Sequence, residues 1–124
     1  MKLIIAGSRD LEVGPQLMNG VLMHFGLDPR EIVQGGAEGI DKCGKLYATF
    51  APLPCKEFPA DWKAHGKAAG PLRNAEMAEY ADALLLIWDG ESRGSASMKQ
   101  EATKRGKPVY EVILKVNHLK AVGG

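Results

Sequence analysis

Four glycine-bearing segments hold most of the residues in this chain that could do chemistry. They span residues 7–10 (Gly-Ser-Arg-Asp), 35–41 (Gly-Gly-Ala-Glu-Gly-Ile-Asp), 69–74 (Ala-Gly-Pro-Leu-Arg-Asn) and 88–95 (Trp-Asp-Gly-Glu-Ser-Arg-Gly-Ser). Glycine lets a ligand approach the backbone, and a helix N-terminus offers free N–H groups and a positive dipole end. The segments therefore predict a pocket for an anionic, nucleotide-like small molecule.

The predicted ligand contacts come from these segments and from one loop between them. Arg9 and Arg73 carry guanidinium groups, which bind phosphate through paired hydrogen bonds, and the ring of Trp62 can stack on a base. We expect Arg73→Ala to weaken ligand binding and to leave the melting temperature of the empty protein nearly unchanged. The predicted ligand-binding residues are Gly7, Ser8, Arg9, Gly35, Gly36, Ala37, Gly39, Asp41, Trp62, Arg73, Asn74, Asp89, Gly90, Ser92, Gly94 and Ser95.

Several of these residues also have a purely structural interpretation. Arg9 can pair with its neighbour Asp10 at the rim, Asp41 can cap a helix or match its dipole, and Ser95 can cap the next helix. Trp62 can anchor a lid on the core. Two helix starts and two arginines that converge on one crevice are nevertheless hard to explain by capping alone, so the combination favours a binding site.

Glu38 and Asp41 are the candidate catalytic residues, because a carboxylate can act as a general base or hold a ribose hydroxyl. The glycine-rich segment beside them is neither a Walker A loop nor a GxGxxG motif, which argues against nucleoside-triphosphate hydrolysis in that style. Cys43 and Cys55 stand alone, with no CxxC and no histidine at metal-ligand spacing. The sequence therefore predicts two reduced, structural cysteines in apolar surroundings, with no metal site and no cofactor.

Apolar runs and helical spacing predict the elements that position these residues. Strands are predicted at residues 3–6, 31–34, 52–58, 82–88 and 108–114, and helices at 11–25, 39–50, 71–80 and 95–105, with a polar loop at 59–70. This alternation predicts an α/β fold: a Rossmann-like three-layer domain over residues 1–114 with a five-stranded parallel sheet in the order 3-2-1-4-5. Pro52 and Pro54 place the third strand at an edge. A basic tail follows at 115–124.

Composition limits the classes of partner. The chain contains sixteen Lys and Arg residues and fifteen Asp and Glu residues, and the resulting net charge of +1 argues against nucleic acid as the partner. No apolar run approaches the roughly twenty residues of a membrane span, and the apolar N-terminus is too short for a signal peptide. We therefore expect a cytoplasmic protein that does not enter membranes. The apolar helix faces leave room for a homodimer or a higher homo-oligomer.

With these residues laid out, the sequence resembles the SLOG superfamily, in particular its small YspA-like members, which are often seen in bacteria and their phages. The resemblance covers Lys2 to about Val112 and rests on the four segments, on residues 59–62 (Pro-Ala-Asp-Trp) and on Met77. It implies a Rossmann-like fold that binds nucleotides or nucleotide-derived ligands. Relatives include the LOG phosphoribohydrolases, which release a base from a nucleoside monophosphate, and the DNA-processing protein A family, which binds single-stranded DNA.

The chain departs from the LOG enzymes at one residue. Those enzymes carry Pro-Gly-Gly-x-Gly-Thr-x-x-Glu, whereas here Gly94 and Ser95 stand for Gly-Thr and Met98 occupies the place of the glutamate. Arg73 still matches the LOG arginine. The sequence thus favours a nucleotide-binding protein, as a sensor or a sequestering protein, over an N-glycosidic hydrolase. A single-stranded nucleic-acid binder is the third alternative.

Overall fold

The computed structural model describes residues 1–115, which form a five-stranded, all-parallel sheet flanked by helices. The strands are β1 (Lys2–Gly7), β2 (Glu31–Gln34), β3 (Cys55–Glu57), β4 (Ala83–Trp88) and β5 (Val109–Ile113). Their order across the sheet is β3-β2-β1-β4-β5. This confirms the predicted α/β fold and strand order, and the chain reverses direction between β1 and β4, where ligands bind in open parallel sheets.

The helices cover both faces of the sheet. Alternate residues of a strand point to opposite faces, so the buried run of β4 supplies Leu85 and Ile87 to one core and Leu84 and Leu86 to the other. The helices are α1 (Pro15–His24), α2 (Ile40–Phe50), α3 (Trp62–His65), α4 (Ala69–Tyr80) and α5 (Arg93–Lys104), with a 3₁₀ turn at Gly66–Ala68. The first core packs α1 and α2, and the second packs α4 and α5.

The third strand lies at an edge, as its prolines predict, and all of its residues are exposed. Cys55 on this strand is exposed and Cys43 on α2 is buried, and both are free thiols. The prediction of apolar surroundings was therefore right for Cys43 and wrong for Cys55, because a side chain on an edge strand of three residues is not covered by a helix.

Several predicted boundaries differ from the structure; the third strand, for example, spans Cys55–Glu57 rather than residues 52–58. The first helix begins at Pro15 rather than at residue 11, because the buried residues before it belong to the loop. The predicted loop at 59–70 contains α3 and a 3₁₀ turn, and α4 begins at Ala69. The last helix begins at Arg93 with Ser92 as its N-cap, not with Ser95. Four-residue helices are too short to leave a periodic pattern in the sequence.

The predicted C-terminal tail lies almost wholly outside the described residues, since only Lys115 belongs to them. Among residues 1–115, no helix combines the length and the apolar character needed to cross a membrane.

Candidate functional site

A cavity of about 760 Å³ opens among the predicted residues, in the crevice where the chain reverses between β1 and β4. Its apolar part includes Ala6, Met77 and Met98. The predicted residues that line it are Gly7, Arg9, Gly35, Gly36, Ala37, Glu38, Asp41, Trp62, Arg73, Asn74, Ser92, Gly94 and Ser95. Ser8, Gly39, Asp89 and Gly90 do not line it. These residues were selected because they follow a strand or begin a helix, and most of the residues selected in this way line one cavity.

The glycine-rich segment after β2 is bonded to side chains of its own chain. Asp41 accepts hydrogen bonds through Oδ2 from the N–H of Gly35 at 3.0 Å and of Ala37 at 3.5 Å. The side-chain oxygen of Gln34 accepts one from the N–H of Gly36 at 2.6 Å. The N–H groups of Gly35, Gly36 and Ala37 are therefore already in use, and this part of the cavity wall presents carboxylate and amide oxygens instead.

Asp41 is a buried acid within the cavity wall, with 5% of its surface exposed. Burial penalises its charged form and raises the pKa of Asp41 to about 6, against the opposing attraction of Arg73 and the N–H groups of Gly35 and Ala37. A carboxyl group that titrates near neutral pH can hold or accept a proton under physiological conditions. Glu38, the other predicted acid, is exposed and pairs with Lys42 at 3.1 Å.

Arg73 on α4 fixes the same segment from the other side. Its Nη1 donates to the carbonyl oxygens of Gly35 at 2.5 Å and Phe58 at 3.4 Å, and its Nε donates to Asn74 Oδ1 at 3.0 Å. Most of the guanidinium fork is thus engaged within the protein. The expectation that Arg73→Ala leaves the empty protein nearly unaffected does not agree with these contacts. The change would remove the hydrogen bonds that hold the loop at Gly35, and it would leave the buried Asp41 without its nearby positive charge.

Asn74 links this network to the start of α5. Its side chain is 4% exposed, and its Nδ2 donates to the carbonyl oxygen of Gly94 at 3.4 Å and to Ser97 Oγ at 3.2 Å. The side chain therefore bridges α4 and α5 across the cavity. It positions the first turn of α5 rather than offering free hydrogen-bonding groups to a ligand.

The N-terminus of α5 offers donors to the cavity. Ser92 Oγ caps the helix by accepting from the N–H of Ser95 at 3.3 Å, while the N–H groups of Arg93 and Gly94 have no acceptor within a helix at these positions. Ser95 is 3% exposed, and within residues 1–115 its Oγ has no hydrogen-bond partner. Buried hydroxyl groups are normally paired, so this one marks a place where a partner is missing.

The four predicted residues outside the cavity wall shape the loops around it. Ser8 Oγ accepts from the N–H of Asp89 at 3.0 Å, which ties the ends of β1 and β4 together. Asp89 Oδ1 accepts from the N–H groups of Glu91 and Ser92, and these bonds hold the pKa of Asp89 below its usual value. Gly39 has φ 77, and a Cβ there would lie 2.3 Å from the carbonyl oxygen of Ser8. Gly90 lies on an exposed turn with φ 86.

The rim of the cavity is aromatic and basic. Trp62 on α3 is 60% exposed, and Lys67 and Arg93 also line the cavity. Sequence reasoning did not select Lys67, Arg93 or Glu57, another lining residue. Glu57 is the last residue of β3, so the rule that ligands bind at strand ends would have found it.

Within the described part of the chain, no group of three or more His, Cys, Asp or Glu side chains is placed to hold a metal ion. The residues of the cavity instead supply hydrogen-bond donors at the start of α5 and acceptors at the end of β2.

Comparison with known proteins gives one informative relative. No protein-family model and no solved structure matches this chain. The chain is 40% identical over 85 residues to the Gene 61 protein of Mycobacterium phage D29, in an alignment that covers 63% of this chain and 67% of that protein. This chain therefore belongs to the same family as the phage D29 Gene 61 protein.

Proposed function

We propose that the cavity binds a nucleotide or a nucleotide-derived ligand, with the phosphate at the start of α5. This role suits a sensor or a sequestering protein and agrees with the SLOG resemblance, which itself stays a proposal. The cavity volume of about 760 Å³ falls within the range of small-molecule sites, roughly 300–1,000 Å³. The proposal rests on the geometry and the chemistry of the site.

The unpartnered hydroxyl group of Ser95 is the observation that carries the proposal. It is buried in the cavity wall, in the first turn of a twelve-residue helix whose free N–H groups and dipole favour an anion. Less than 1 Å² of the Oγ atom is exposed in the observed rotamer, so rotation about χ1 toward the cavity would bring this hydroxyl to a phosphate oxygen, the acceptor that the protein does not provide. The segment after β2 is less suited to a phosphate, because the N–H groups of Gly35, Gly36 and Ala37 are bonded to Asp41 and Gln34.

Charge and shape around this helix start support the same ligand class. Arg9, Arg93 and Lys67 line the cavity, and all three are exposed and able to turn toward a phosphate. Trp62 offers its exposed ring at the rim, where a base can stack on it. The ligand then extends from a phosphate at α5 to a base at α3.

Calorimetric titration with nucleoside mono- and diphosphates and with NAD tests the proposal. We expect one of these ligands to bind, and Ser95→Ala to weaken its binding about ten- to a hundredfold, since a hydrogen bond to a charged group contributes about 1.5–3 kcal/mol. The same change should not lower the melting temperature of the empty protein, because it removes an unpaired hydroxyl. Ser92→Ala is the contrast, since loss of that cap destabilises the empty protein by about 1 kcal/mol.

Two results would count against this proposal. If none of the nucleotides binds, the ligand class is wrong. If a nucleotide binds and Ser95→Ala leaves its affinity unchanged, the phosphate does not lie at the start of α5.

The pKa of Asp41 supports a second candidate, an N-glycosidic hydrolase acting on a nucleotide. A buried carboxyl group with a pKa of about 6 inside a ligand-sized cavity is suited to activating water or to steadying the ribose. Incubation with nucleoside monophosphates and NAD, followed by detection of free base, tests this activity. Base release that disappears in Asp41→Asn, with nucleotide binding retained, would establish hydrolysis; no release would leave the binding function alone.

A further inference from the structure

A buried amide holds a carboxylate in the wall of the cavity. Gln34, the last residue of β2, is 1% exposed, and its Nε2 donates to Glu57 Oε1 at 2.9 Å while its Oε1 accepts from Gly36 N–H at 2.6 Å. Lys45 also approaches Glu57 Oε1, at 3.8 Å. Both side-chain groups of the amide are therefore used, and together they fix Glu57 at the end of β3 against the glycine segment.

The other oxygen of this carboxylate, Oε2, belongs to a side chain that lines the cavity and has no donor from the described residues. Glu57 lines the cavity, its side chain is 44% exposed, and Oε2 lies beside Gly36, where a Cβ would approach it to 3.0 Å. The described residues place no hydrogen-bond donor of the protein on this atom. An ionised carboxylate only accepts hydrogen bonds, so a ligand group that meets it must be a donor.

We propose that Glu57 recognises the ribose 2′-hydroxyl group and so makes the cavity selective for ribonucleotides over 2′-deoxyribonucleotides. This inference rests on the proposed nucleotide-binding function. With the phosphate at α5 and the base on Trp62, the sugar joins the two ends along the wall. Its hydroxyl groups are the donors that the acceptor-rich side of the cavity, formed by Glu57 and Asp41, is suited to bind.

The contact makes binding selective for ribonucleotides because the hydrogen bond from Gln34 fixes the orientation of the Glu57 carboxylate before the ligand binds. A site built to bond a hydroxyl group discriminates strongly against an analogue that lacks it, because its own polar group is then left unpaired. Glu57 is partly exposed, so water can solvate it when the hydroxyl is absent and the discrimination is moderated. We expect the 2′-deoxyribonucleotide to bind about tenfold more weakly than the ribonucleotide.

The test compares the two forms of one nucleoside monophosphate, identical in base and phosphate, by calorimetric titration of the wild-type protein and of Glu57→Gln. The substitution keeps the side-chain shape and an oxygen for Gln34 but removes the carboxylate. We expect Glu57→Gln to weaken the ribonucleotide about tenfold, to leave the 2′-deoxyribonucleotide nearly unchanged and to bring the affinity ratio close to one. Glu12→Gln, an equal loss of charge at an exposed residue outside the cavity, should preserve the ratio.

The outcomes separate the two proposals. Binding of both nucleotides with equal affinity to the wild-type protein, or a preference that survives in Glu57→Gln, overturns the selectivity of Glu57 and leaves nucleotide binding intact. Failure of both nucleotides to bind the wild-type protein overturns the nucleotide-binding function and this inference with it. The melting temperature of Glu57→Gln verifies folding, and Glu57→Ala provides a second loss of the carboxylate at the same exposed position.

Discussion

Replacing Asp41 with asparagine should change how the stability of the empty protein depends on pH. Burial raises the pKa of Asp41 from 3.8 to about 6 in the folded state. The folded protein therefore binds this proton more tightly than the unfolded chain does. The contribution of Asp41 to stability is greatest below pH 3.8, falls as the pH rises toward 6, and is constant above that. Asparagine resembles the protonated form and has no such dependence.

The size of the effect follows from the difference between the two pKa values. About two pH units at 1.36 kcal/mol per unit amount to about 3 kcal/mol over the full range, and about 2 kcal/mol of this lies above about pH 4.5. The free energy of unfolding of Asp41→Asn minus that of the wild type should rise by this amount up to about pH 6 and then level off. Other acids, such as Asp89, contribute equally to both proteins and cancel in the difference.

Urea unfolding at five pH values from about 4.5 to about 7.5, followed by the fluorescence of the buried Trp88, measures this difference. Asp10→Asn, at an exposed carboxyl group in the loop after β1, is the matched control for loss of one acidic charge. A difference between Asp41→Asn and the wild type that does not vary with pH would refute the reasoning. A difference that falls as the pH rises would show that the pKa of Asp41 is lowered in the folded protein, so that the effect of Arg73 and the backbone donors on this pKa exceeds the effect of burial.

Three further predictions concern single residues. Arg73→Ala should lower the free energy of unfolding of the empty protein by about 2 kcal/mol or more, because carbonyl oxygens lose their donor and Asp41 loses its nearby cation; denaturant titration that shows no loss would contradict a structural role. Gly94→Ala should leave the empty protein as stable or more stable, since no atom lies within 4 Å of the added Cβ and alanine favours helix, yet weaken nucleotide binding measured by calorimetry; unchanged affinity would argue against close approach of the ligand there. A thiol reagent should modify Cys55 in the native protein and reach Cys43 only after unfolding, as peptide mass mapping would reveal; equal labelling of both would be inconsistent with the burial of α2.

The strand order was predictable because its determinants are local. The apolar run of β4 marks a central strand buried on both faces, and Pro52 and Pro54 exclude the third strand from the middle of the sheet. Right-handed crossovers then leave few arrangements, and the one observed places β3 and β5 at the edges. Helix boundaries were less predictable: Ser92 and Ser95 are both good caps by type, and only the bonds from the loop at Asp89 decide between them.

The site residues were predictable in position but not in orientation. Strand ends and helix starts converge on one edge of a parallel sheet whatever the side chains are, so most of the selected residues line one cavity. The direction of each polar group depends on contacts between residues distant in the chain. Arg73 meets the carbonyl oxygen of Gly35 across 38 positions, and Asn74 meets Ser97 across 23. No local pattern in the sequence encodes either contact.

Two glycines illustrate why similar motifs play different roles in this cavity. A Cβ at Gly35 would lie 2.4 Å from Arg73 Nη1 and 2.9 Å from Asp41 Oδ2, so this glycine makes room for the protein's own charged side chains. At Gly94, by contrast, no atom lies within 4 Å of the added carbon, and the space there is open. A glycine that faces open space at the start of a helix allows a ligand to reach the backbone, whereas one packed against the side chains of Arg73 and Asp41 does not. The first segment thus supplies acceptors to the cavity wall and the second supplies donors, and this difference supports the proposed orientation of a nucleotide, with its phosphate toward α5 and its sugar toward Glu57.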